Sequence, residues 1–216
     1  MKLQLPRLPS MKPYYSEGGL VIYHADCREA LPQLGIYDLV LTDPPYGVEI
    51  DDWDNKAGLN TAIACLPLIR KSATITLLTP GNGNQYKYPE PDWTLAWVIP
   101  AAITRGSWGW CWWQPVLAYG NDPYLREGKG GFPDTYICNE ASEENGHPCP
   151  KPLAVWKWLM KRGAARLTDT VLDPFLGSGT TLRAAKDLGY KATGIEINER
   201  YCEIAAKRLS QEVFQW

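Results

Sequence analysis

The 216-residue sequence contains no run approaching 18 uncharged apolar residues, which excludes a helical membrane span. Its opening, MKLQLPRLPSMKPYYSEGG, lacks the apolar centre of a secretory signal. It has no Cys-x-x-Cys pair. Six cysteines stand apart at 27, 65, 111, 138, 149 and 202, which argues against a disulfide frame and for reduced thiols in a cytoplasmic protein. Cys138, His147 and Cys149 fit no common zinc spacing, so no metal is expected. Positive charge is not in surplus either: the formal net charge is −2. A strongly basic balance is the usual footprint of a nucleic-acid binder, so any such binding must use local patches. Repeats, low-complexity tracts and the G-x-G-x-x-G dinucleotide fingerprint are all missing.

Apolar residues make up 45% of the chain, enough for the core of one α/β domain spanning 1–216. Short β-like runs lie at 19–24, 37–42, 73–79, 93–99, 114–119, 169–172 and 190–195. Helix-like segments at 26–33, 58–71, 151–163, 180–188 and 198–210 separate most of them. Strands alternating with helices predict crossovers and a mainly parallel sheet. The exception is 93–119, where two strands follow one another and should end the sheet antiparallel. Residues 120–150 read as one long irregular segment, a length that is usually functional. The 10 tryptophans are unusual, and several crowd into SWGWCWWQ at 107–114.

Two strand ends carry the chemistry. At 171–181, VLDPFLGSGTT, an apolar strand runs into Asp-Pro, then glycines, then a helix. Glycines there let the backbone approach a ligand and aim the helix N-terminus at it. The next strand ends at Glu196, where an acid accepts both hydroxyls of a ribose in nucleotide-binding versions of this geometry. Together these favour an adenosine-bearing ligand over a plain tight turn. The other end is TDPPY at 42–46, directly after YDLVL.

TDPPY, GHPCPKP and LDPFLGSGTT…GIEINERYCEIAAKRL resemble the amino-methylating DNA methyltransferases, which use S-adenosylmethionine. The Asp-Pro-Pro-Tyr element comes first, which is similar to the β-class order of the motifs. The resemblance implies a Rossmann-like, seven-stranded sheet with one antiparallel strand and helices on both faces. It also implies that the strands ending at Asp43 and Asp173 are neighbours, so that acceptor and donor halves share one crevice.

The resemblance assigns roles to the residues. An exocyclic amine is a poor nucleophile because its lone pair is delocalised into the ring. Asp43 and the carbonyl of Pro44 accept from its two N–H bonds and localise that lone pair. Pro44 and Pro45 bring no competing donors and fix the turn. Tyr46 offers a stacking face to a base extruded from the duplex. On the cofactor side stand Asp26 and Cys27, with Asp26 an acceptor for the adenine amine, an N-cap, or both. Lys151 is expected either at the methionine carboxylate or merely at a helix start. Asp173, Pro174, Phe175, Gly177, Ser178, Gly179, Thr180 and Thr181 form the glycine-rich element, and Glu196 takes the ribose. Trp53, in EIDDWDNK, is expected to help close over the base.

The expected partner is double-stranded DNA, with no membrane. The segment 120–147 is expected to read the target, and 1–18 to form an N-terminal arm. Yet 120–147 is short and acidic, so either sequence reading is minimal or a second subunit contributes, and a homodimer stays open. The basic stretch 157–166 is as easily a solvated helix face as a DNA contact. Asp at position 43 resembles the adenine-N6 branch more than the cytosine-N4 branch, which often carries Ser. A non-catalytic nucleic-acid-binding module with a relict pocket is the remaining reading. The small size resembles phage or prophage enzymes, and a restriction-modification setting is the family's usual one.

Overall fold

The computed structural model describes residues 11–100, 102, 105–129, 131–140 and 148–211. In chain order the strands are β1 (Tyr15–Glu17), β2 (Leu20–His24), β3 (Tyr37–Thr42), β4 (Ala73–Leu78), β5 (Trp93–Val98), β6 (Arg105–Gly106), β7 (Gly109–Trp110), β8 (Trp113–Tyr119), β9 (Thr135–Ile137), β10 (Thr170–Asp173) and β11 (Lys191–Glu196). The helices are α1 (Cys27–Ala30), α2 (Lys56–Lys71), α3 (Pro123–Arg126), α4 (Leu153–Gly163), α5 (Thr180–Leu188) and α6 (Glu199–Ser210).

The main sheet runs β1-β2-β11-β10-β3-β4-β8-β5-β9. It has nine strands, not the expected seven. The two extra strands, β1 and β9, are three residues each and sit at the edges, too short to show a period of two. All seven expected strands are present, and β8 runs antiparallel to both β4 and β5. β9 then adds in parallel to β5, so the antiparallel pair does not end the sheet as expected.

Period-two alternation sorts the buried strands onto two cores. In β3, Leu39 and Leu41 point into the layer with Val155, Trp156 and Leu159 of α4 and Leu182 and Ala185 of α5. Val40 points the other way, with Cys27, Cys65 and Ile69 from α1 and α2. Helices therefore cover both faces, as a continuous apolar strand such as β3 demands.

β3 and β10 are parallel neighbours, with Val171 beside Leu39. From β3 the chain passes through α2 to β4 on one side. From β10 it passes through α5 to β11 on the other. The winding reverses between them, and a crevice opens beyond their C-terminal ends.

The segment 120–147 begins at the opposite edge. β8 descends antiparallel to β4, so the chain leaves it at Tyr119 on the side remote from Asp43. There Asp122 caps α3 and pairs with Arg162, and the Tyr124 hydroxyl donates to the carbonyl of Lys161 at 2.7 Å. β9 carries the chain back toward the crevice. Residues 141–147 of that segment, with His147, and residues 1–10 of the expected arm lie outside the described residues. Among the described residues no cluster of ligands suits a metal ion, and no helix is long and apolar enough to cross a membrane.

Candidate active site

The glycine-rich loop is built around Asp173. Its carboxylate is buried and accepts from the hydroxyls of Thr42 at 2.6 Å and of Thr181, and from the Phe175 N–H at 3.0 Å. Burial pushes its pKa up to about 6, against the pull of those hydrogen bonds. Thr181 also accepts from the Trp156 indole N–H at 2.9 Å. The Asp173 and Thr181 side chains thus tie the end of β10 to β3, to α4 and to the first turn of α5. Gly179, at φ 84°, is the N-cap of α5, and a Cβ there would stand 2.7 Å from the Cβ of Ala205. Only glycine allows α5 and α6 to come this close around the loop.

Glu196 closes the loop from the next strand. Its carboxylate accepts from the N–H of Gly177 and of Asn198, both at 2.8 Å. Burial raises its pKa, while these backbone donors oppose the shift. Asp26, at the end of β2, is the N-cap of α1 and also grips the Arg28 guanidinium, which lowers its pKa. The capping role is therefore realised.

The Asp-Pro-Pro-Tyr turn faces this loop across the crevice. The Asp43 carboxylate accepts from three side chains: the Tyr46 and Thr79 hydroxyls on Oδ1 and the Lys151 ammonium on Oδ2. Lys151 was expected at a methionine carboxylate or a plain helix start. Here its side chain, 8% exposed, pairs with Asp43 and lies 4.9 Å from the centre of the Tyr46 ring. Burial works against the ammonium, but Asp43 outweighs it, and the pKa of Lys151 is raised. Burial, then the Asp43 charge, raises that of Tyr46.

One cavity of about 360 Å³ joins the two halves. It is lined by Asp26, Cys27, Asp43, Pro45, Trp53, Lys151, Asp173, Pro174, Phe175, Gly177, Ser178, Thr180, Thr181 and Glu196. Of the expected site residues, Pro44, Tyr46 and Gly179 do not line this cavity; Pro44 and Tyr46 flank Pro45, which does. Trp53 sits on the loop side of the cavity: its indole N–H donates to Asp51 at 3.0 Å, and its ring meets that of Tyr201 edge-on.

Sequence reasoning missed three supports. Asp54 is buried and accepts from the N–H groups of Tyr46 at 2.6 Å and Gly47 at 2.8 Å, which holds the turn after the prolines. The Asn84 amide donates to the Tyr46 carbonyl at 2.8 Å. Thr79 follows β4 directly, beside Thr42. Its position at the end of a strand neighbouring the Asp43 strand was the available signal. Asp54 and Asn84 carried none, because their partners are backbone groups that only the folded loop brings near.

The sequence matches the family model described as DNA methylase over residues 85–207, more than half of the chain. The chain belongs to the DNA methylase family. This methylase is 26% identical to the Type II methyltransferase M.ScaI of Streptomyces caespitosus, over 93% of its own length and 84% of that protein. It is 37% identical to M.HpaI of Haemophilus parainfluenzae over 81 residues, a quarter of that relative. Among solved structures, M1.HpyAVI in complex with SAM superimposes with a TM-score of 0.65 at 23% identity, over 89% of the methylase and 100% of that chain. The cytosine-N4-specific PvuII DNA methyltransferase superimposes with a TM-score of 0.71 at 15% identity, over 95% and 92%. At these identities the superpositions show a shared fold.

Proposed function

We propose that this methylase transfers a methyl group to the exocyclic N6 of adenine in a short site of double-stranded DNA. The observation that carries this reading is the Asp43 carboxylate, held at the cavity by Lys151, Thr79 and Tyr46. A carboxylate has about four acceptor sites, and three are taken by those side chains. The fourth is assigned to the target amine, with the backbone carbonyl of Pro44 accepting its second N–H. Lys151 fixes the carboxylate in place, and Asp54 fixes the turn, so the acceptors need not reorganise as the amine attacks. Pro45 walls the cavity, and Tyr46 supplies a flat surface beside the extruded base. Acid at position 43, where cytosine-N4 relatives often carry Ser, supports adenine.

The methyl donor is S-adenosylmethionine, which supplies an electrophilic methyl group on a sulfonium centre. The cavity volume suits a ligand of that size. Glu196 lies where a ribose would be recognised, and Asp26 and Cys27 where an adenine edge would be. Gly177, Ser178 and Thr180 open the backbone beside them, with Phe175, Trp53 and Tyr201 as apolar walls. In-line transfer then depends mainly on positioning.

Sequencing of modified bases in DNA from cells expressing the methylase tests this reading. N6-methyladenine at one short site is expected, and none with Asp43→Ala. N4-methylcytosine would overturn the adenine assignment and leave the family intact. Absence of any modified base, with no S-adenosylmethionine binding in calorimetry, would leave a binding module only.

A further inference from the structure

The hairpin between β5 and β8 has no role in the site described above. β6 and β7 pair Arg105 with Trp110 and Gly106 with Gly109, leaving Ser107 and Trp108 at the tip. Trp108 is 101% exposed, and Trp110, Trp112 and Trp113 are 61%, 51% and 45% exposed. Four tryptophans in six residues, one wholly and three about half in solvent, form a concentrated apolar patch outside the core clusters of the described residues.

Strand register locates the patch. Thr42 lies level with Leu78, and Leu78 level with Leu117. From Leu117, β8 runs four residues further to Trp113, still paired with β5, or about 13 Å past the level of Thr42 at about 3.3 Å per residue. The ladder goes one step further, where the Ile99 N–H donates to the Trp112 carbonyl at 2.7 Å. The hairpin thus springs from the edge at which Asp43 opens, about two strand spacings or 10 Å to one side.

Charge points to the occupant. Between Asp92 and Asp122 the chain carries no acid, and its only base is Arg105, in a protein of net charge −2. Three of the four bases in the other stretch expected to face DNA are paired within the protein. In 157–166, Lys157 pairs with Asp187, Arg162 with Asp122, and Arg166 with Asp169. The acidic segment after Tyr119 starts at the remote edge.

We propose that this hairpin enters duplex DNA beside the target base, and that Trp108 stacks in the space the extruded base leaves. This rests on the DNA-methylating function proposed above. A two-stranded ribbon fits the major groove, and the Gly106–Gly109 pair keeps its neck thin. Extruding a base costs the stacking of its neighbours, and an inserted apolar side chain restores part of it.

The test uses the wild-type methylase with Trp108→Ala and Trp108→Phe, and a duplex carrying the mapped site with a fluorescent base analogue at the target position. Trp108→Ala is expected to lose about 10-fold in duplex affinity, within the range of one stacking contact, and to lose most of the fluorescence rise on extrusion. Trp108→Phe should recover part of both, with S-adenosylmethionine affinity unchanged in all three. Opposite an abasic site, where no base pair has to be broken, extrusion costs less and the deficit of Trp108→Ala in methyl transfer should shrink. Wild-type affinity and extrusion in Trp108→Ala, while wild type still methylates DNA, would overturn the wedge alone. A dimer that dissociates in Trp108→Ala without loss of DNA affinity would make the patch a subunit contact and also overturn it. No methyl transfer by wild type to any DNA would remove the function and the wedge with it.

Discussion

Asp43 and Lys151 lie 108 positions apart and form one ion pair, with side chains 22% and 8% exposed. The carboxylate is engaged with the protein on both oxygens and is assigned to the amine, not to the cofactor. Asp43→Ala should therefore retain S-adenosylmethionine binding and lose methyl transfer, because its hydrogen bond strengthens as the amine attacks. Asp43→Asn keeps a carbonyl acceptor and should be the milder change. Single-turnover transfer of labelled methyl groups, with cofactor affinity measured separately, checks both. The alanine variant also leaves a nearly buried ammonium without its charge partner. Urea unfolding should show it less stable by about 1–3 kcal/mol. An alanine variant with wild-type transfer would end the acceptor role.

The two strand-end loops behave as elements. Gly177 has φ 53° and donates its N–H to Glu196. A Val at 177 strains the backbone and intrudes on the ligand's approach, so cofactor binding should fall below detection in calorimetry while circular dichroism stays native. Asp173 gives the same loop a pH signature. Its carboxyl has a pKa of about 6 when folded, above an ordinary value near 3.8, so the folded state holds the proton more tightly. Its contribution to stability is greatest below about pH 4 and declines as pH rises to about 6, by up to about 3 kcal/mol. Asp173→Asn should flatten that part of the pH–stability curve, which urea midpoints between pH 4 and 7 will reveal.

At the scale of the whole molecule, a net charge of −2 and a DNA-facing hairpin with one arginine leave few phosphates neutralised. Non-specific duplex affinity between 50 and 200 mM salt should show a shallow slope, with about 3 to 5 phosphate contacts. A steep slope would mean a basic face elsewhere.

The sequence by itself determined the alternation of strands and helices, the two strand ends and the methylase family. Each is encoded within a few residues: a buried run such as YDLVL, then Asp-Pro, then a turn. It reached the seven long strands and missed β1 and β9, whose three residues carry no period. Only the tertiary structure decided which charges meet. Lys151 was placed on Asp43 by the crevice between β3 and α4, and three of the four bases of 157–166 were paired with Asp122, Asp169 and Asp187. It also sent the chain after Tyr119 to the remote edge and set the tryptophan hairpin on the edge at which the crevice opens, because β8 runs against its neighbour β4. Strand direction and register join residues far apart in the chain, and no local pattern records them.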